Sequence, residues 1–257
     1  MGIRYNIVVV GAGGIGTHLM PMLIRACCDT ENQLQKFLVI DGDVYERKNL
    51  ARQQFTELAI GRNKAEVQVE KIVRLMNPCA KTEYPLTEIF QAFPKYLTPE
   101  NLPEALSKLH VLDNTVIFSG VDNHPCRLLL SRFVEQNKVL NMLLITGGNN
   151  EMDGTVHVQG QWKGVQFDDP IEVRHPEIIT DKTDDRGSMS CQELHNLAGG
   201  EQTIAANAMA AAIMYGWFVS IMQDPKKTAD IQDVYYDLRT MNIRAVRPVV
   251  TIRKEAK

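Results

Sequence analysis

"NIVVVGAGGIG", Asn6 to Gly16, is the stretch whose reading decides the fold. It opens with a β-branched apolar run, as expected of a strand buried on both faces of a parallel sheet. Gly11, Gly13, Gly14 and Gly16 follow, and after them an apolar helix is expected over Thr17 to Cys28. Glycines between a strand and a helix permit a tight turn. They also let backbone N–H groups approach a phosphate at the helix N-terminus. The pattern points to a nucleotide without saying which; a glycine turn that merely packs helix on strand is the alternative. Pro21 is expected near the first turn of that helix or at a kink.

Working outward, "KFLVID" reads as a second strand and "NKAEVQVEKIVRLMN" as a helix with apolar residues at 65, 69, 72, 73 and 76. It stops at Asn77-Pro78. Residues 84 to 109 hold four prolines and read as loop plus a short helix. "TVIFSGVDN" is a buried strand running into a turn, "PCRLLLSRFVEQN" a helix and "KVLNMLLITGG" a further strand. This alternation predicts an α/β fold: a doubly wound, mostly parallel sheet with a Rossmann-like nucleotide-binding half. The second half changes character. "GTVHVQGQW" alternates in strand period, and the acidic, Pro-containing segment 164 to 190 reads as exposed and mobile. "GGEQTIAANAMAAAIMYGWFVSIM" is a long helix rich in small residues, and "DVYYDLRTMNIRAV" reads as two antiparallel closing strands. One domain over 1–257 is expected, with 1–137 as the nucleotide half and 138–257 as the substrate and closing half.

The formal charge of −3 gives no bulk basic surface for nucleic acid. No apolar run approaches the roughly 18 residues of a membrane span, and no signal peptide opens the chain, so a cytoplasmic protein is expected. Five cysteines, Cys27, Cys28, Cys79, Cys126 and Cys191, form no C-x-x-C pair. That argues against a disulfide framework and against a four-cysteine zinc site.

The site candidates cluster at strand ends. Asp41 stands 25 residues after Gly16, where such folds place an acid on ribose hydroxyls. A dehydrogenase is the default for that pair of features, but it leaves "VIDGDVYERKNLARQQF" unexplained, with Asp43, Lys48, Asn49, Arg52 and Gln53. Downstream, in "IGRNKAEV", Gly61 breaks the chain and Lys64 opens a helix. A first-turn lysine opposes the helix dipole, so an anion is expected beside it. In "SGVDNHPCR", Asp122 and Asn123 fall at the carboxyl edge of the sheet. A carboxylate there suits Mg²⁺, and ordinary helix capping is the competing reading.

Taken together, "GAGGIG", "DGDVYERKNLARQQF", "IGRNKAEV" and "VDNHPCR" resemble the ThiF/MoeB/HesA family, bacterial relatives of ubiquitin-activating enzymes. The N-L-x-R-Q and G-x-x-K-A segments carry more of the resemblance than the glycine loop. It covers residues 6 to about 137. It implies MgATP and adenylation of the C-terminal carboxylate of a small ubiquitin-like or sulfur-carrier protein ending in glycine. It implies Asp41 on the ribose, Asn49, Arg52 and Lys64 on the phosphates, and Asp122 on Mg²⁺; Gly11, Gly13, Gly14, Gly16, Asp43, Gln53 and Asn123 complete the nucleotide site. It also implies a homodimer. More weakly, "SMSCQELHNLAGGEQTIAANAMAAAIM" places Cys191 where several members carry an acyl-accepting cysteine, with His195 four residues on. Cys126 reads as packing.

The chain departs from the family pattern in three places. The two C-x-x-C pairs that hold the family's structural zinc are missing, and the zinc is expected to be lost with them. The first strand starts at residue 6, leaving no Arg-bearing N-terminal arm, which puts the usual dimer in question. The 84 to 115 insertion is similar to divergent members of mobile elements and phages. An NAD-dependent oxidoreductase and a non-catalytic ThiF-like partner protein are the competing functions.

Overall fold

The computed structural model describes residues 4–29, 34–51, 53–76, 85–167, 169–180 and 202–247. The first strand, β1 (Tyr5–Val10), is buried along its whole length. Helix α1 (Gly14–Asp29) follows, then β2 (Leu34–Ile40) and α2 (Lys64–Met76). The expected sequence of strand and helix continues through β4 (Thr115–Ser119), α5 (His124–Gln136) and β5 (Met142–Asn149). Helix α1 starts at Gly14, inside the glycine loop, so Pro21 lies in the helix interior and not in its first turn.

Between α2 and β4 the chain forms α3 (Leu86–Ile89), β3 (Phe90–Phe93) and α4 (Leu102–Leu106). The strand corrects the expectation of loop plus short helix. "FQAF" pairs in parallel with β2, Phe37 opposite Phe90 and Ile40 opposite Phe93. Four residues are too few to show a period, and Pro94 ends the strand at once.

The second half adds β6 (Asp153–Trp162), β7 (Val165–Gln166), α6 (Ile171–Arg174), α7 (Glu177–Thr180), α8 (Ile204–Gln223), β8 (Asp233–Asp237) and β9 (Asn242–Val246). The nine strands form one sheet in the order β3-β2-β1-β4-β5-β6-β8-β9, with β7 on β6. Pairing is parallel from β3 to β5 and antiparallel beyond. The segment expected to be exposed over 164 to 190 is folded in its described part, where Phe167, Ile171 and Ile178 are buried.

Alternation along the central strands divides the core between the two faces of the sheet. Ile7, Val9, Phe37, Val39 and Phe118 pack with α1 and α8. Val8, Val10, Leu38, Ile40 and Ile117 pack with α4 and α5. Helix α8 qualifies by length and composition as a candidate membrane span, which corrects the expectation that no run approaches that length. Here it packs on α1, β5 and β6 and buries Met214 together with Ala206, Ala210 and Ala211, small residues that allow the close approach expected of them.

Strands β1, β2 and β4 end level: Val10 stands opposite both Ile40 and Ser119. The chain moves from β1 to β2 on one side and returns to β4 on the other. That reversal of strand order opens a crevice beyond the carboxyl ends, where open α/β sheets bind ligands.

Candidate nucleotide site

Three segments leave the level strand ends and are tied together by backbone groups. Gly11 N–H donates to Ile40 O (2.9 Å), Gly120 N–H to Val10 O (2.9 Å) and Asp41 N–H to Phe93 O (3.2 Å). Gly11 has φ 93°, and a Cβ there would stand 3.0 Å from the backbone of Gly120. That position needs glycine for its conformation and for its space.

Asp41 reaches across to the glycine loop. Its Oδ2 accepts from Ala12 N–H at 2.6 Å and its Oδ1 from Asp43 N–H at 2.8 Å. Burial raises its carboxyl to about 6; the Lys64 ammonium and the two backbone donors pull the other way without cancelling the effect.

Asp43 binds Lys64 twice. Lys64 N–H donates to Asp43 O at 2.9 Å, and Lys64 Nζ lies 2.7 Å from Asp43 Oδ2. The register is set by Asn63, whose Oδ1 accepts from Glu66 N–H in the first turn of α2. Its Nδ2 donates to the carbonyls of Asp41 and Asp43 at 2.9 and 3.1 Å. Gly61, with φ 82°, turns the chain into this cap. The hydroxyl of Tyr96 donates to Asp43 Oδ1. Desolvation is the largest influence on Asp43 and raises it, but the Lys64 charge, its hydrogen bond and the Tyr96 hydroxyl together leave the carboxyl below its ordinary value. The loop between is anchored by buried Tyr45, which stacks on Phe55 and whose hydroxyl accepts from Gln68 Nε2 at 2.6 Å.

Of the pair Asp122 and Asn123, the helix cap is Asn123: it stands at the N-cap of α5, its side chain accepting from Cys126 N–H at 2.9 Å. Asp122 has no capping duty and lines the crevice. Burial raises its carboxyl, with Arg127 and Lys64 opposing and Asp43 reinforcing the shift. Cys126 is buried, as packing requires, and burial pushes its thiol up to about 12.

The crevice is a cavity of about 970 Å³. Gly11, Gly13, Gly14, Asp41, Asp43, Gln53, Lys64, Asp122 and Asn123 all line it. Asn49 is not among the lining residues; its Oδ1 accepts from Glu46 N–H at 3.0 Å and closes a short turn. Arg52 and Cys191, together with His195, lie outside the described residues.

Tyr96, Thr146 and Asn207 are among the lining residues that the sequence did not single out. Tyr96 covers Gly42, where a Cβ would stand 2.5 Å from the Tyr96 backbone nitrogen. Thr146, within β5 and opposite Ser119 at the end of β4, has a buried Oγ1 without a partner among the described residues. Asn207, fully buried on α8, leaves both Oδ1 and Nδ2 without a partner among the described residues, and a Cβ at Gly14 would come within 2.5 Å of its amide. The available signal was an amide in the middle of the apolar run "AANAMAAA".

Comparison with known proteins bears on this arrangement. Over 156 residues the chain is 31% identical to a sulfur carrier protein adenylyltransferase of Thermus thermophilus, covering 60% of this chain and 49% of that one. The fold resembles that of E. coli MccB, solved with ATP, at a TM-score of 0.59 and 17% identity over 95% of this chain and 63% of that one. It resembles PaaA at a TM-score of 0.62 and 16% identity, over 95% and 64% of the two chains. The chain thus spans about half the length of the curated relative and under two thirds of these solved structures. Residues 3–255 match the ThiF family, and over that nearly complete span the chain belongs to it.

Proposed function

We propose that the chain is an ATP-dependent adenylyltransferase that activates the C-terminal carboxylate of a small ubiquitin-like or sulfur-carrier protein, or of a peptide. The observation that carries this reading is the convergence of the glycine loop, Asp41, Lys64 and Asp122 on one cavity beyond level strand ends. The relatives add support. One is named for adenylating a sulfur carrier protein, and MccB was solved both with ATP and with N-formylated MccA. The family assignment leaves the nicotinamide alternative without a feature of its own.

The wall of the cavity fits a nucleotide. Among the described residues, Gln53 Oε1 and both amide atoms of Asn207 are buried and unpartnered along it. Asp41 has lone pairs left for ribose hydroxyls after accepting from Ala12 and Asp43. Gly11, Gly13 and Gly14 let backbone N–H groups approach phosphate, and Arg52, Lys64 and Gln53 supply polar partners for it. Asp122 is the carboxylate that would hold Mg²⁺, which when bound neutralises phosphate charge.

The reaction needs little proton chemistry. A carboxylate oxygen attacks the α-phosphorus; the new O–P bond forms as the bond to pyrophosphate breaks, and pyrophosphate leaves with the electron pair. No general base is required, because the attacking carboxylate is ionised at neutral pH. Negative charge grows on the phosphoryl oxygens, and Arg52 and Lys64 stabilise it there. In this reading the chain works as one unit, residues 1–137 holding most of the nucleotide and 138–257 adding Asn207 to that wall and taking the substrate, within a homodimer. The Cys191 thiolate then attacks the acyl carbon to form a thioester, and AMP leaves with the electron pair of the broken C–O bond; an acyl-persulfide forms in the same way only where Cys191 already carries a sulfane sulfur from a persulfide donor. Cys191→Ala, followed by intact mass with and without dithiothreitol, tests that second step.

Calorimetric titration tests the nucleotide assignment. MgATP is expected to bind, and NAD to bind weakly or not at all; tight NAD binding with no response to ATP overturns the reading.

A further inference from the structure

Two strands beyond β4 in the sheet, three side chains meet that the nucleotide chemistry does not use. His157 comes from β6, His175 from the turn between α6 and α7, and Asp233 from the start of β8. His157 Nδ1 lies 3.1 Å from Asp233 Oδ1, and His175 Nε2 lies 3.2 Å from the same oxygen. The three ligand-capable atoms all fall within 4.8 Å of one another. His157 and Asp233 are each about 1% exposed, and His175 is 16% exposed.

The outer side of each group is already occupied. His157 Nε2 lies 3.1 Å from the carbonyl of Asp169, which can only accept. His175 Nδ1 lies 3.1 Å from a Glu177 carboxylate oxygen, which also accepts. Arg174 Nη2 donates to Asp233 Oδ2 at 3.2 Å. Each ring thus stands between two acceptors, an outer one and Asp233 Oδ1, and one ring proton serves only one of them. With the proton on the outer side, the inner nitrogens and Asp233 Oδ1 turn their lone pairs toward a common point, the arrangement that a divalent cation takes up.

We propose that His157, His175 and Asp233 form a divalent transition-metal site, best suited to Zn²⁺. Bond lengths of about 2.0–2.1 Å at a tetrahedral angle put neighbouring ligand atoms roughly 3.3 Å apart, close to the two separations found here. The backbone carbonyl behind His157, the carboxylate behind His175 and the guanidinium on Asp233 are the outer partners that fix ligand orientation in such centres. Both histidines line the large cavity, so a fourth position faces it and takes water or a substrate oxygen. The site owes nothing to C-x-x-C pairs, and its members stand at 157, 175 and 233, too far apart in sequence for any spacing motif.

The test uses the full-length protein, stripped with a chelator and titrated with Co²⁺ or Zn²⁺ alone, without nucleotide. One Co²⁺ per chain is expected, with visible d–d absorption, no sulfur-to-cobalt charge-transfer band, and no change in the spectrum under excess Mg²⁺. His175→Ala should lose the bands while retaining native circular dichroism. Glu177→Gln, which leaves the three ligands in place, should weaken binding about 10–100-fold. Failure to bind either metal, bands that persist in His175→Ala, or a thiolate charge-transfer band overturns the proposal. The first of these results assigns the cluster to protons.

Discussion

Lys64 Nζ lies 2.7 Å from Asp43 Oδ2, with 7% of the lysine side chain exposed and 42% of the aspartate. The first-turn lysine, placed against the helix dipole, has its anion inside the protein. In the proposed function, a phosphate arriving at Lys64 shares it with Asp43 and does not meet a bare charge.

Asp43→Ala therefore leaves a buried ammonium without its partner. A loss of about 1–3 kcal/mol in the ligand-free protein is expected; the open side of Asp43 keeps the effect below that of a fully buried pair. MgATP should recover more stability in this variant than in the parent, because phosphate replaces the missing carboxylate. Urea unfolding with and without nucleotide reads both effects, and equal nucleotide stabilisation in the two proteins contradicts the assignment of Lys64 to phosphate.

Asp41 gives the pH dependence. Its carboxyl is raised to about 6 in the folded protein. Its contribution to stability is thus full below its ordinary value and is lost as pH rises through about 6. Ribose hydroxyls donate to the ionised form, so nucleotide binding has the opposite sign. Affinity should be level above about pH 6 and fall about tenfold per unit below it. Calorimetry across pH checks this, with proton release on binding near pH 6. A flat profile from pH 7 to 5 contradicts the placement of Asp41 on the ligand.

Asn207 separates stability from binding. Its amide is buried with neither atom partnered among the described residues, which costs a ligand-free protein about 1–3 kcal/mol. Asn207→Ala should unfold at the same temperature as the parent or higher, yet bind MgATP more weakly. A variant that loses stability and keeps its affinity makes Asn207 a packing residue.

Arg52→Ala and Lys64→Ala should each slow adenylation about 10²–10³-fold at saturating ATP, with smaller effects on ATP binding, because both cations meet charge that grows in the transition state. Normal turnover at saturation in either variant removes that residue from the role given to it.

Much of this was legible in the sequence where local chemistry and tertiary role coincide. The β-branched strands, the glycine loop, Asp41 and the first-turn Lys64 all follow from composition and punctuation, and the structure joins them at one edge. Asn123 was ambiguous in sequence because a cap and a ligand use the same residue types; only the bond from Cys126 N–H decides. Strand β3 was hidden because its four residues gain their strand character from pairing with β2. Asn207 and Tyr96 reach the cavity through tertiary packing alone, and His157, His175 and Asp233 meet only because β6 and β8 are neighbours.

The central claim is tested most directly by exchange of labelled pyrophosphate into ATP, with Mg²⁺ and a small β-grasp carrier protein ending in Gly-Gly. The account predicts exchange that requires the free C-terminal carboxylate, ceases when that carboxylate is amidated, and is abolished by Asp122→Ala. Exchange that continues with the amidated carrier, or at the parent rate in Asp122→Ala, would contradict it.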